Sequence, residues 1–215
     1  HFDGVHLMSL HGRRQLPQQL EALGVPTVLS GRPLTGRRTI YYVDADNVGG
    51  GQLATEHLLG SGRKVVATVT GPQDMCAGQD RLIGYRKAVE ASGRLVEHSL
   101  VVDAEFTQES GFAATRQLLE DRPDVDAIFA ASDLTAMGAI RAIERSGRRV
   151  FDDVAVIGFD DIGEAALMQP ALTTIRQPIA DLGTTMSQRL LERIDGGEPP
   201  KMTILPVELI KRQTA

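Results

Sequence analysis

From residue 65 onward, apolar runs of strand length take turns with stretches of helical period. Nothing else in the chain constrains its fold as much. Val65–Val69, Ala127–Ala131 and Val154–Phe159 are nearly continuous apolar runs, the pattern of strands covered on both faces. Asp80–Ala91, Glu109–Glu120 and Asp133–Arg145 read as the intervening helices, and Gly93 and Gly147 stop the first and the last. Strand–helix alternation of this kind predicts an α/β fold with doubly wound parallel sheets.

The flanks extend the pattern. Leu16, Leu20 and Leu23 share one helical face, which Gly24 closes; Val25–Ser30 and Thr39–Val43 then read as strands. Gln52–Leu59 reads as a helix, and Val96–Val102 looks extended. After Phe159 the rhythm breaks. Thr173–Pro178 is extended, and a long helix follows to about Arg193, with Ile179, Leu182, Met186 and Leu190 as its apolar stripe. Pro178 suits that helix's first turn, where its missing N–H costs nothing. Thr203–Ile210 reads as one last strand.

Composition removes several function classes. A formal charge of −5 over 215 residues argues against a broad basic face for nucleic acid in this stretch. No run approaches the ~20 apolar residues of a membrane span. Cys76 is the sole cysteine, so no internal disulfide can form, which fits a reducing compartment. The five histidines lack the spacing of a zinc site, and neither a metal nor a cofactor is expected. His1–Gly4 begins without a Met or a signal peptide, and the chain reads as a piece of something longer.

In open parallel sheets, ligands bind beyond the carboxyl ends of the strands. Polar residues recur there: Asp44–Asn47 after Val43, Ser132–Asp133 after Ala131, and Asp160–Asp161 after Phe159. Ser132 and Asp133 also suit a helix N-cap. A charged pair behind a buried strand must be solvated or hydrogen-bonded, which marks Asp160 for a ligand role. Neighbouring residues on a strand point opposite ways, so Asp160–Asp161 makes a poor acid/base dyad. Arg81 stands near the start of its predicted helix, against the dipole, which points to a carboxylate partner or to ligand oxygens. Gly31–Arg38 has P-loop glycine spacing but lacks its Lys and Ser/Thr. Gly49–Gly50–Gly51 fits close backbone packing better than a phosphate site. No nucleophile–base set or Gly-x-Ser-x-Gly elbow is present, so no enzymatic activity is expected.

Several stretches together carry a resemblance. They are Gly24–Val28, Asp46–Asn47 with Gly49–Gly50, Arg81–Tyr85, Ala130–Asp133 with Ala136–Ala139, Asp152–Asp161, Pro170–Gln177 and Leu182–Gly183. In order and spacing they resemble the effector-binding domain of the lactose/galactose repressor (LacI/GalR) family of bacterial transcription regulators, over nearly the whole chain.

The resemblance implies a periplasmic-binding-protein type I fold of two lobes with a small molecule in the cleft. Residues 1–45 and 177–202 would form a partial N-terminal lobe, and residues 46–176 and 203–215 the C-terminal lobe. The first two strand–helix units and the helix-turn-helix that binds operator DNA would precede residue 1. Arg81 matches the family arginine that grips polar ligand atoms, and Asp160 the carboxylate that accepts from ligand hydroxyls. Phe106 stands where an aromatic ring stacks on the ligand, and Ser132 where Asn is common. Asp46, Gln177 and Ile179 would line the same cleft. Met137, Ile140 and Met168 would form a homodimer face. The implied function is cytoplasmic sensing of a small effector, a sugar or similar polar metabolite. The alternative is an exported solute-binding protein of a sugar transporter.

Overall fold

The computed structural model describes residues 3–8, 11–12, 15–35 and 39–215. The last three residues of the P-loop-like stretch, 36–38, lie outside them. The chain divides into two compact units, with boundaries that fall after Asp46, Gln177 and Pro206; residues 74–77 also group with the first unit.

The first unit holds a four-stranded parallel sheet built from β1 (Val5–Leu7), β2 (Thr27–Ser30), β3 (Tyr41–Ala45) and β9 (Met202–Leu205), in that order. Strand β1 is absent from the sequence reading because three residues are too few to carry a periodicity. Helix α1 (Leu16–Ala22) packs on β2, and α7 (Ile179–Ile194) lies across β1, β2 and β3. Leu182 and Met186 of its apolar stripe are buried, whereas Ile179 is 61% exposed. Arg193 fastens the far end of α7. Its guanidinium carbon sits 4.0 Å above the Tyr41 ring, and the side chain pairs with both carboxylate oxygens of Glu21.

The second unit holds six strands in the order β10-β8-β7-β6-β4-β5: Glu208–Ile210, Thr173–Arg176, Ala155–Asp160, Ala127–Ala130, Val66–Val69 and Val101–Val102. All pair in parallel except β10, which runs antiparallel to β8. Both faces are covered, which explains the continuous apolar runs. Ile128 and Val156 enter one core with Leu118, Ile140 and Ile143 from α4 (Gln108–Asp121) and α5 (Asp133–Arg145). Their neighbours Phe129 and Ile157 enter the other, with Leu58 of α2 (Asn47–Gly60) and Tyr85 of α3 (Cys76–Ala91). Tyr85 is buried and donates to the Val66 carbonyl at 2.8 Å, so the ring's polar end is satisfied. A short helix, α6 (Gly163–Leu167), follows β7, and a single 3-10 turn, His98–Leu100, precedes β5.

Three expectations need correction. The single last strand over Thr203–Ile210 is two strands, one in each sheet, so the third crossing lies after Pro206 rather than at residue 202. Proline lacks the N–H that a continuing ladder would need. Helix α3 starts at Cys76, so Arg81 stands in its second turn and the argument from the dipole does not apply. Ile140 is 4% exposed and faces the inner core, which removes it from any partner-facing surface; Met137 and Met168 remain half-buried.

Candidate functional site

Arg81 is 4% exposed, and a buried cation persists only where charge and hydrogen bonds compensate it. Its Nε donates to Asn47 Oδ1 at 2.9 Å, at the start of α2. Its Nη1 donates to the Ala131 carbonyl at 2.5 Å, just beyond β6, and lies 3.4 Å from Asp160 Oδ1 at the end of β7. The guanidinium carbon lies 3.7 Å from the centroid of the Phe159 ring and 5.4 Å from that of Phe106, within cation–π range. A charged fork thus stands at the carboxyl edge of the six-stranded sheet, where the strand-end rule places ligands.

Gly50 and Gly51 serve this arrangement. A Cβ on Gly50 would strike the Phe159 ring, and one on Gly51 would strike the Arg81 carbonyl. Close packing is therefore their role, as the sequence suggested. Gly71 at the end of β4 likewise leaves room for the Phe106 ring. The backbone beside Phe106 is fastened through the Glu105 carbonyl, which accepts from Ser110 Oγ at 2.8 Å and from Thr135 Oγ1 at 3.1 Å.

Asp160 accepts from Gln177 Nε2 at 2.6 Å. Burial pushes its carboxyl above the ordinary range, while Arg81 and Gln177 pull the other way. Asp161 points elsewhere, to Arg176 and Arg212, in keeping with the expected divergence of the pair. Burial acts to raise the Asp161 carboxyl as well, but hydrogen bonds from those two arginines outweigh it and hold the group below the usual carboxylate range.

The structure thus brings together four residues picked from the sequence: Arg81, Phe106, Asp160 and Gln177. Ser132 stands next to Ala131, but its hydroxyl caps α5 by accepting from the Thr135 N–H at 3.1 Å. Asp46 is half-buried at the end of the first unit's opening segment, and its N–H donates to the Leu205 carbonyl. Ile179 opens α7 in the same unit. The sequence reading missed Asn47 as the anchor of Arg81, Phe159 as the ring beneath it, and Asp133. Asp133 is wholly buried and accepts from Thr174 Oγ1 at 2.5 Å and from the Ile162 N–H at 2.9 Å. Burial pushes its carboxyl up to about 7, and the charges of Asp160 and Asp161 add to that rise. Among the described residues, no group of three or more His, Cys, Asp or Glu side chains could hold a metal ion.

The family profile of the periplasmic binding protein-like domain matches residues 55–215. The chain belongs to that family. This periplasmic binding protein-like domain is 46% identical to the HTH-type transcriptional regulator CelR of Thermobifida fusca, over all of this chain and 64% of CelR. It is 36% identical to the ribose operon repressor of Halalkalibacterium halodurans, over 92% of this chain and 58% of that repressor. A solved complex of the regulator CelR with cellobiose superposes with a TM-score of 0.97 at 46% identity, covering all of this chain and 66% of that one. A LacI-family regulatory protein from Chloroflexus aggregans gives a TM-score of 0.91 at 32% identity, over 99% of this chain and 76% of that one. The chain therefore spans about three fifths of the length of its curated relatives. The domain is of the LacI/GalR effector-binding kind, as its sequence motifs indicated, and these relatives are transcriptional regulators rather than enzymes or transport proteins. Among the described residues, no helix is long and apolar enough to cross a membrane.

Proposed function

We propose that this domain is the effector sensor of a cytoplasmic transcription regulator and that it binds a glucose-type disaccharide, with cellobiose the first candidate. One observation carries the reading: a buried guanidinium, a carboxylate and an aromatic ring converge at a sheet's carboxyl edge in Arg81, Asp160 and Phe106. Sugars present hydroxyls that donate to carboxylates and accept from guanidinium groups, and their C–H faces lie flat on aromatic rings. The relative solved with cellobiose supports the choice of sugar.

Arg81 would donate to ring or hydroxyl oxygens, Asp160 would accept from a pair of hydroxyls, and Phe106 would cover the apolar face. Ser132, Asp46, Gln177 and Ile179 are assigned supporting contacts. In this reading the residues bind the sugar without chemistry on it, and the sugar would leave unchanged. Operator binding would belong to a helix-turn-helix outside these 215 residues, and a homodimer would use the exposed side of α5 with Met137 and Met168. The effector can shift the regulator's DNA-binding equilibrium only by its differential affinity for the two states. The kinship with regulators disfavours the transporter alternative.

Isothermal calorimetry of the 215-residue chain against cellobiose, lactose and ribose tests this. Saturable heat with cellobiose that disappears in a folded Arg81→Ala variant is expected. Turnover of the sugar, or unchanged binding without Arg81, would sink the reading.

A further inference from the structure

Three consecutive residues at the end of β7 are each held by side chains from other parts of the second unit. Gln177 binds the Asp160 carboxylate. Arg176 Nε and Arg212 Nη2 take separate oxygens of Asp161, at 2.7 and 2.6 Å. Asp133 receives the Ile162 N–H. The backbone there is unusual. Asp160 has φ +116° and Asp161 has φ +59°, both in the region that favours glycine. Aspartate tolerates the second value, but the first is a strained position for any L side chain and persists only when its surroundings dictate it.

We propose that Asp161 is a positioning residue for Asp160, clamped by Arg176 and Arg212 so that the strained backbone holds the Asp160 carboxylate beside Arg81. The proposal rests on the reading of Arg81 and Asp160 as the sugar site. Charge-assisted bonds to both oxygens make the Asp161 side chain the firmest anchor of the turn, with only 8% of it exposed. The clamp also ties three strands together. Arg176 stands opposite Asp160 on β8 and opposite Glu208 on β10, and its Nη1 reaches Glu208 at 3.4 Å. Arg212 adds a bond to the Leu172 carbonyl at 2.7 Å. Without the clamp, Asp160 would relax towards an ordinary φ and its carboxylate would leave the position the sugar needs. Binding would then have to restore the strain.

The test is calorimetry with cellobiose on the 215-residue chain and its D161N, R176A, R176K and D161N/R176A variants, with thermal unfolding in parallel. Asparagine accepts φ +59°, but it removes the charge and turns one of the two accepting oxygens into an NH2 group that cannot accept from an arginine. D161N should weaken binding about tenfold or more. R176A should weaken it less, because Arg212 remains, and R176K should recover part of the loss. The double variant should bind no more weakly than D161N alone, since the two residues act through one contact. R149A removes an exposed ion-pair set with Asp152 and Asp153 before β7, at the opposite end of that strand, and should leave affinity unchanged. Wild-type affinity in folded D161N, while R81A abolishes binding, would overturn the clamp alone. Should D161N fail to fold, wild-type affinity in folded R176A would do the same. Absence of cellobiose binding in the wild type, or its survival in R81A, would overturn the sugar site and the clamp with it.

Discussion

Gly158 lacks a side chain because the carboxylate of Asp133 occupies the place its Cβ would take. The carboxylate sits there to accept from Thr174 on β8 and from the Ile162 N–H, which draws α5, β7 and β8 together below the carboxyl edge of the sheet. Gly158→Ala should cost about 1–3 kcal/mol through overpacking. Urea unfolding would show it as a lower midpoint at unchanged slope, and an unshifted midpoint would show that the contact can give way.

Asp133 also imposes a pH dependence. Its carboxyl titrates near 7 when folded, against 3.8 for the ordinary group. Between those values the folded chain keeps a proton that the unfolded chain has released. This contribution to stability is therefore full below the ordinary value and is lost as pH rises through about 7, with a slope of at most about 1.4 kcal/mol per pH unit for one proton. Asp153 acts in the opposite sense. Hydrogen bonds from Arg149 hold its carboxyl at about 2, so its contribution is lost only as pH falls from the ordinary value towards 2. Asp133→Asn should flatten the stability profile between about pH 4 and 7 and leave the acid limb in place. Denaturant titrations across that range check it, and an unaltered slope would refute the assignment.

Arg81→Ala removes the guanidinium that pairs with Asp160, whose carboxylate keeps its bond from Gln177. Loss of one partner from a buried charge pair typically costs about 2–5 kcal/mol in binding, so cellobiose affinity should fall by at least about 30-fold. Asp160→Asn should weaken binding comparably while the fold remains, since asparagine matches aspartate in size and is no more strained at that backbone position. Calorimetry on variants with native circular dichroism decides both.

Ser132→Ala should act on stability. The hydroxyl caps α5, and its loss should cost about 1 kcal/mol. A thermal-shift scan reads that loss. Cellobiose titration of the same variant separates a capping role from a direct sugar contact, which would add a fall in affinity.

The sequence alone carried the architecture. Val154–Phe159 and Ala127–Ala131 could only be strands covered on both faces, and the helices between strands followed from their period. It also marked Arg81, Asp160, Phe106 and Gln177, because motif order and strand-end position are local properties. Tertiary structure alone decided which groups complete the site and how they are held. Asn47 reaches Arg81 across 34 positions of chain, and Asp161 meets Arg212 across 51. Pairings at such separations depend on strand order and helix packing, and no local pattern encodes them. Tertiary structure also turned Ile140 inward, moved the start of α3 back to Cys76, and split the last strand between two sheets at Pro206. The reason is common to all three: periodicity tells which residues share a face, but only the packed neighbours decide what that face meets and where an element must end.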